Sequence, residues 1–247
     1  MSIVAVHANW DNWVYLHPYS AGQCWGVDPS EAACVTAALA KKKLELTHIL
    51  VTHHHADHIG GVAALQKRWD CKVYSPDSKR IDGTDTVVED GDSLVLADWT
   101  ITVMAAPGHT TTGVCYYCMC PAESPVLYAG DTLFACGCGR LFEGSAETMY
   151  RSLQRLAALP DQTRLCPGHN YTEENVRFAL TLEPDNAALK QMLRFVRTQK
   201  EFVPTTLGQE KQCNPFLRVD QPSIRKAIGL DDPVAVFAEL RRRKDCF

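Results

Sequence analysis

Several common features are missing from this sequence of 247 residues. No apolar run approaches the roughly 20 residues that a helix needs to cross a bilayer, and residues 1–7 show neither a charged segment nor a cleavage site typical of a secretory signal. No repeat of fixed period and no low-complexity stretch is present, which argues against a solenoid or a tail. We therefore expect a globular, cytoplasmic protein with no membrane partner.

An excess of positive charge is also missing. The chain has 25 Lys and Arg residues against 29 Asp and Glu residues, a formal net charge of -4. Proteins that bind nucleic acid generally carry a basic surface, and no long basic or aromatic segment is present here. The charge balance therefore argues against a nucleic-acid partner, including a nuclease substrate. We expect a monomer.

Cysteine, in contrast, is plentiful, with 11 residues in the chain. The number is odd, the chain is not small, and the spacings do not repeat as they do in a disulfide framework. We therefore interpret the cysteines mostly as reduced thiols. Cys115 and Cys118 have a spacing that zinc sites use, but they lie in an aromatic, β-prone run without a second cysteine pair nearby, which favours strand packing.

Strands and helices alternate through the first two thirds of the chain, which predicts an α/β protein. The apolar patterns predict strands over residues 13–16, 24–27, 48–51, 72–74, 93–96, 101–104, 113–117 and 126–129. They predict helices over 29–43, with Asp28 as the cap, over 59–69, and over 145–159, with Ser145 as the cap. Helices over 172–182, 186–201 and 233–243 follow, with no convincing long strand among them. We therefore predict a catalytic domain over residues 1–170 and a helical domain over 171–247.

The segment from Thr52 to Gly61 contains an H-x-H-x-D-H array of candidate metal ligands. Its members are His53, His55, Asp57 and His58, and His109, Asp131 and His169 each follow an apolar segment further along the chain. Imidazole nitrogen and carboxylate oxygen suit zinc, iron or manganese, and a loop at the end of a strand can direct such groups to one point. We exclude His54, which would point away from its neighbours, and also His7, His17 and His48.

The order of these seven residues resembles that of the metallo-β-lactamase superfamily, and the resemblance covers residues 1–170. It implies a four-layer αββα sandwich and two divalent metal ions per chain, with zinc favoured and iron or manganese open. One ion would be bound by His53, His55 and His109, and the other by Asp57, His58 and His169. Asp131 would bridge the two ions, and Asp57 and Asp131 would be the catalytic carboxylates.

Two metal ions can share a water molecule, lower its pKa to near 7 and polarise the bond under attack. A thiolate needs little protonation on leaving, because thiol pKa values lie near 8.5. A thioester is therefore a natural substrate, although the metal chemistry also permits a phosphodiester or a lactam.

Segments outside the metal motif bear on the substrate, and they resemble the glyoxalase II family. They are Gly137–Gly144, Gly168–Thr172, Asn214–Arg218 and Arg241–Asp245. The resemblance implies hydrolysis of S-D-lactoylglutathione to D-lactate and glutathione, a step in the removal of methylglyoxal. The glutathione, with its two free carboxylates, would be bound by Arg140, Phe142, Tyr171, Arg241 and Lys244.

This chain departs from the glyoxalase II pattern at two positions. Phe142 stands where some members have Tyr, and Asn170 stands where many have Glu. Phe142 can pack against a ligand but cannot donate a hydrogen bond, and Asn170 is not a predicted ligand.

Two other functions compete with the hydrolase. A persulfide dioxygenase, which would use one iron ion and O₂, resembles this chain in the His-Ala-Asp-His and Gly-Cys-Gly-Arg motifs. The Phe142-Glu143-Gly144 run, the Asn-Pro-Phe segment and the basic last helix favour glyoxalase II. A non-catalytic metal-binding module is the other alternative; it would be marked by the loss of a bridging ligand, and no ligand is lost here.

Overall fold

A computed structural model describes residues 2–198 and 204–247. The chain forms two compact units, each built from several segments. The first unit comprises the residues up to Ala105, Thr112–Gly130 and Gly168–Asn170, and the second comprises Ala106–Thr111, Asp131–Pro167 and the residues from Tyr171 onward. The α/β class is confirmed. The predicted domain boundary at residue 170 stays a prediction, and the compact units follow different boundaries because 131–167 belongs with the C-terminal helices.

The first unit contains a six-stranded sheet with strands in sequence order. These are β1 (Val4–Ala8), β2 (Asn12–Ser20), β3 (Gln23–Val27), β4 (Glu45–Leu50), β5 (Lys72–Ser75) and β6 (Thr86–Val87). The pairs among β1, β2 and β3 are antiparallel, and the later pairs are parallel. Parallel neighbours need a crossover connection, usually a helix. The connections here contain α1 (Ala32–Lys42), α2 (Ala56–Ile59) and α3 (Val62–Trp69).

The core beneath this sheet combines strand and helix side chains. Leu16 and Ile49 from the strands pack in one buried cluster with Val35 and Leu39 of α1 and Leu65 of α3. The apolar residues recur at helical spacing in α1 and α3, so each helix presents one face to the sheet. This packing fixes the end of β4, from which the ligand motif departs.

Four more strands of the first unit form an antiparallel array. They are β7 (Ser93–Leu96), β8 (Trp99–Ala105), β9 (Val114–Cys120) and β10 (Glu123–Gly130), paired in the order β10-β9-β8-β7. Cys115 and Cys118 are buried on β9, which confirms the prediction of strand packing for this run. No disulfide bond links any of the 11 cysteines, all of which lie among the described residues.

The second unit is mostly helical. Its helices are α4 (Ala146–Ala157), α5 (Thr172–Leu182), α6 (Ala187–Thr198), α7 (Leu207–Cys213), α8 (Pro222–Ile228) and α9 (Pro233–Asp245), with a 3-10 turn over Pro215–Leu217. Its short strands are β11 (Leu133–Phe134), β12 (Gly137–Cys138), β13 (Arg164–Pro167) and β14 (Thr205–Thr206). The prediction for 172–182 is confirmed in full, and the end of the predicted helix 186–201 lies outside the described residues.

Aromatic rings build much of the core of the second unit. Phe216, in the 3-10 turn, lies 5.5 Å from Phe237 of α9 and 6.4 Å from Phe178 of α5, measured between ring centroids. All three rings are buried. The short helices α7 and α8 were not predicted, because seven residues carry too little periodicity to distinguish a helix from a loop.

One predicted helix cap is wrong and one is confirmed. Helix α1 begins after Glu31, while Asp28 lies in the left-handed region with φ 48° and turns its carboxylate to other partners. Ser145 caps α4 as predicted, because its side chain accepts a hydrogen bond from the backbone N–H of Thr148. Among the described residues, no helix is both long and apolar enough to cross a membrane.

The Ser145 cap generates a stability prediction. Ser145→Ala should lower the free energy of unfolding by about 1 kcal/mol, because the Thr148 N–H loses its acceptor at the helix end. Urea denaturation should show a lower midpoint at an unchanged m value. The control is Ser78→Ala, at an exposed turn position, which should stay within about 0.5 kcal/mol of the wild type. Equal midpoints for both variants would contradict the role of the cap.

Candidate metal centre and substrate cavity

The first two histidines of the ligand motif converge just beyond β4. His53 is buried, and its Nε2 atom lies 3.1 Å from Nδ1 of His55. The Nδ1 atom of His53 donates to the hydroxyl of Thr52 at 3.0 Å, which fixes the ring and directs Nε2 toward His55. The two facing nitrogens lie on one side of the turn, where both could bind the same metal ion.

A second donor group in the first unit brings Asp57, His58 and His169 together. The Oδ2 atom of Asp57 lies 3.6 Å from His58 Nε2 and 3.3 Å from His169 Nε2, and the two imidazole nitrogens are 3.3 Å apart. Backbone hydrogen bonds hold the segment of His169: Trp13 N–H donates to the carbonyl of Gly168, and Gly168 N–H donates to that of Gly130. Two adjacent residues and one that lies 111 residues further along the chain thus present three facing ligand atoms.

The spacing of these atoms fits a metal ion. Ligand bonds from His or Asp to a tetrahedral zinc ion measure roughly 2.0–2.1 Å, which places neighbouring donor atoms about 3.3–3.4 Å apart. The distances within the Asp57, His58 and His169 group span 3.3–3.6 Å. Without a cation, two unprotonated imidazole nitrogens at this separation would repel each other. The donor set and its geometry therefore suit a divalent metal ion.

The Asp28 side chain fixes the turn that carries the candidate metal ligands. Its buried carboxylate accepts hydrogen bonds from the Thr52 N–H and the Thr52 hydroxyl, both at 2.7 Å, and from His58 Nδ1 at 3.0 Å. Because Nδ1 of His58 is used in this way, Nε2 is the nitrogen that faces His169. Gly130 packs on the same turn with φ +47°, and a Cβ atom there would lie 2.4 Å from the Thr52 hydroxyl oxygen. Only glycine meets both requirements.

Asn12, the first residue of β2, and Asp11, which precedes it, orient the group of Asp57, His58 and His169. Asp11 accepts a hydrogen bond from His169 Nδ1 at 2.9 Å, and the Asn12 side chain donates to Asp57 Oδ2 at 3.0 Å. Partners of this kind fix the ring orientation of a ligand and raise its basicity. The sequence reasoning missed Asp11, Asn12 and the role of Asp28. The only available signal was that polar residues interrupt apolar runs, which is too common to single them out.

The second unit contributes its own pair of predicted ligands. His109 Nε2 lies 3.4 Å from Asp131 Oδ2, and His109 Nδ1 donates to the carbonyl of Arg140 at 2.9 Å. Both side chains are buried. Gly139 lies against the backbone of Asp131, and a Cβ atom there would sit 1.9 Å from the Asp131 carbonyl oxygen. The distance between His109 Nε2 and Asp131 Oδ2 also matches the separation of two ligand atoms bound to one metal ion.

The Glu143 side chain connects the Gly137–Gly144 loop to the turn that contains His109. Its Oε2 atom accepts hydrogen bonds from the Thr111 N–H at 2.7 Å and the Thr111 hydroxyl at 2.9 Å. The Gly144 N–H donates to the carbonyl of Gly108 at 3.0 Å. The loop and the His109 turn are therefore held as one piece within the second unit.

A cavity of about 310 Å³ opens in the second unit beside this pair. It is lined by His109, Asp131, Phe134, Cys138, Gly139, Arg140, Phe142, Tyr171, Glu174, Asn175, Arg241 and Lys244. All five predicted substrate-binding residues are among them. Burial raises the pKa of the Cys138 thiol to about 11, so this cysteine stays protonated at neutral pH and is a poor nucleophile.

The three cationic side chains of the cavity differ in their present contacts. Arg140 is 64% exposed, with its Nε atom 3.7 Å from Asp245. Arg241 is buried, donates to the carbonyl of Cys138 at 2.7 Å and pairs with Asp245 at 2.9 Å. Lys244 forms a close ion pair with Glu174. Arg140 is thus the most accessible cation, while Arg241 also supports the loop.

The contact of Asp11 with His169 predicts an effect on metal affinity. Asp11→Ala should weaken metal binding by about 10- to 100-fold, because the His169 ring loses the partner that orients it. Competition with a chromogenic chelator measures the affinity. The control is Asp98→Ala, at an exposed turn of the same unit, which should leave it unchanged. An affinity of Asp11→Ala within twofold of the wild type would refute the orienting role.

The comparisons with known proteins agree with this geometry. A model described as the metallo-beta-lactamase superfamily matches residues 26–169, and one described as the hydroxyacylglutathione hydrolase C-terminus matches residues 170–247. The chain is 46% identical to the hydroxyacylglutathione hydrolase of Rhodopseudomonas palustris (strain BisB5), with 95% of this chain and 94% of that protein covered. It is 44% identical to the hydroxyacylglutathione hydrolase of Rhizobium meliloti (strain 1021), with 96% and 95% covered.

Solved structures confirm the predicted metallo-β-lactamase fold. ETHE1 from Myxococcus xanthus aligns with a TM-score of 0.67 at 26% identity, covering 100% of this chain and 99% of that one. TTHA1623 in a di-iron-bound form aligns with a TM-score of 0.64 at 25% identity, covering 88% and 100%. The helical region after residue 170 agrees with the matched C-terminal model. By sequence over nearly its full length and by fold, the chain belongs to the hydroxyacylglutathione hydrolase family of the metallo-β-lactamase superfamily.

Proposed function

We propose that this protein hydrolyses S-D-lactoylglutathione to D-lactate and glutathione, the glyoxalase II reaction of methylglyoxal removal. The observation that carries the proposal is the cavity of the second unit, in which Arg140, Arg241 and Lys244 lie around the same space as His109 and Asp131. Glutathione has two carboxylates that such cations bind. The family relatives named hydroxyacylglutathione hydrolase support the same reaction.

We propose further that the chain holds two divalent metal ions, with zinc favoured and iron or manganese open. His53, His55 and His109 would bind one ion and Asp57, His58 and His169 the other, with Asp131 shared. Support comes from the donor spacings within each unit and from the di-iron form of TTHA1623. Two such ions supply a water of lowered pKa and polarise the carbonyl group under attack.

The protein's own residues would bind and orient the substrate. Arg140 would pair with a glutathione carboxylate, since its side chain is exposed and its present ion pair is long. Tyr171 and Lys244 would bind the rest of the tripeptide, with Arg241 close behind them. The ring of Phe142 is 63% exposed and lies edge-on to His109 at 5.2 Å, which suits packing against the thioester side. The thiolate product leaves with little need for a proton donor.

A compartment and an oligomeric state belong to the same proposal. We place the protein in the cytoplasm as a monomer that acts on a small molecule. Support for the compartment comes from the sequence, in which an odd number of cysteines without the spacing of a disulfide framework favours a reducing environment.

The direct test is hydrolysis of S-D-lactoylglutathione by the metal-replete protein, followed at the thioester absorbance. Turnover with release of free thiol is the expected result. The competing persulfide dioxygenase would instead consume O₂ with glutathione persulfide, which an oxygen electrode detects. Oxygen consumption without thioester hydrolysis would overturn the proposal.

Metal content gives a second test. Elemental analysis of the metal-replete protein should find two ions per chain, as the seven proposed ligands require. His53→Ala should lose metal, because its Nε2 atom faces His55. His54→Ala is the matched control: its Nε2 lies 3.3 Å from Arg80, outside both donor groups, and it should retain both ions. A firm value of one ion in the wild type would contradict the two-metal site.

Substrate binding by the cations gives a third test. Lys244→Ala should raise KM at least about tenfold with little change in kcat, because one buried charge-assisted contact is worth roughly 1.5–3 kcal/mol. Arg140→Ala should raise KM less, since exposure to solvent weakens its contact. The control is Arg151→Ala, on the exposed side of α4, which should keep both constants. Wild-type KM values in both cavity variants would remove the support for glutathione.

A further inference from the structure

A pair of buried thiols lies at the base of the Gly137–Gly144 loop, outside the proposed catalytic machinery. Cys136 directly precedes the loop and Cys213 ends α7, and their Sγ atoms are 3.1 Å apart. Both residues are buried, and Glu210 brings a carboxylate oxygen within 4.8 Å of both sulfurs. The two cysteines are 77 residues apart in the chain, so only the tertiary fold brings them together.

We propose that Cys136 and Cys213 are a redox-active thiol pair that a hydroperoxide oxidises to an intramolecular disulfide. A disulfide bond measures about 2.05 Å. The two sulfurs therefore need to approach by only about 1 Å from their present separation. This proposal does not depend on the hydrolase function.

The hydrogen bonds around the pair define which thiol reacts first. The Cys213 thiol donates to the carbonyl of Gln209 at 3.1 Å, so the proton between the two sulfurs comes from Cys136. Cys213 also lines a cavity of about 330 Å³ with Ala188, Met192 and Gln209, whereas Cys136 does not. Of the two buried sulfurs, Cys213 is thus the one beside open space, and we assign it as the first to react with a small oxidant.

The reaction balances in two steps. The Cys213 sulfur attacks one peroxide oxygen, which breaks the O–O bond and gives a sulfenic acid and one water molecule from hydrogen peroxide. The Cys136 sulfur then attacks the Cys213 sulfur and expels hydroxide, which leaves as water with the second thiol proton. Two thiols and one peroxide become one disulfide and two waters. The carboxylate oxygen of Glu210 within 4.8 Å of both sulfurs is the nearby group we assign to receive a thiol proton, and burial raises the pKa of this carboxyl group to about 7.

A metal ion is the alternative occupant, and the geometry disfavours it. Two thiolates on one tetrahedral zinc ion stand roughly 3.7 Å apart, because each Zn–S bond is about 2.3 Å. The observed separation of the two sulfurs is shorter. Glu210 Oε2 is already engaged by the Cys136 N–H and the Asn214 side chain, and in the described part of the chain the cluster has three members where zinc takes four ligands.

The disulfide would lock the loop to α7. Cys136 has φ 57°, a conformation that non-glycine residues rarely adopt, and its N–H donates to Glu210 at 2.7 Å. Asn214 donates to the carbonyls of Phe134 and Gly137. The base of the loop thus already rests on the 210–214 segment, and a covalent link there would stabilise the folded unit with little movement.

Intact-mass measurement of the metal-replete protein treated with hydrogen peroxide tests the proposal. In Cys246→Ser, which lacks the exposed thiol, we expect a loss of about 2 Da that dithiothreitol reverses. In this variant and in the wild type we expect a peptide linking Cys136 to Cys213 and a Tm about 5 °C or more above that of the reduced protein. Oxidation of the exposed Cys246 in the wild type is the control that the peroxide was active.

The two single variants test which of the two thiols is oxidised first. With Cys136→Ser, Cys213 should be oxidised without a resolving partner and gain about 32 Da as the sulfinic acid. With Cys213→Ser, residue 136 should stay a thiol. Absence of the linked peptide in wild-type protein after Cys246 has been oxidised would overturn the proposal. So would native-mass detection of a third zinc ion that the Cys136→Ser variant loses.

Discussion

The carboxylate of Asp28 supports the turn on which the ligand motif depends. Within the first unit it accepts the Thr52 N–H, the Thr52 hydroxyl and the His58 ring at once. Three hydrogen bonds compensate the free-energy cost of burying a carboxylate, whereas a buried carboxylate without hydrogen-bond donors destabilises the folded state. The same contacts fix which nitrogen of His58 faces His169. The direction of the ligand atoms is therefore set by a residue that precedes α1 and touches no proposed substrate.

Asp11 and Asn12 support the group of Asp57, His58 and His169 in a similar way. Asp11 fixes His169, and Asn12 fixes Asp57, so each of these ligands has a polar partner on its far side. Such outer partners restrict ring rotation before any ion binds, which lowers the entropic cost of binding. The first unit thus holds its ligands in place through its own hydrogen bonds.

The Gly137–Gly144 loop has the corresponding role in the second unit. Its Arg140 carbonyl accepts from His109, its Glu143 side chain accepts from Thr111, and the Cys138 carbonyl accepts from Arg241. A loop held at so many points fixes the positions of His109 and of the backbone of Arg140 relative to each other. The basic last helix is accordingly more than a charge run at a helix end, because Arg241 is buried and anchors this loop.

The sequence by itself determined which residue types are candidate metal ligands, the order in which they occur and most of the secondary structure. The H-x-H-x-D-H array, the strand over Cys115 and Cys118 and the helix over 172–182 could be predicted because each depends on local spacing. Asp28 was predicted as a helix cap because Asp before Pro is a local capping pattern, but its partners Thr52 and His58 lie 24 and 30 residues away. The anchoring role of Arg241 and the pairing of Cys136 with Cys213 depend on contacts across 103 and 77 residues. Only the tertiary structure decides such contacts. Buried polar groups find their hydrogen-bond partners anywhere in the fold, so these contacts produce no periodic pattern in the sequence.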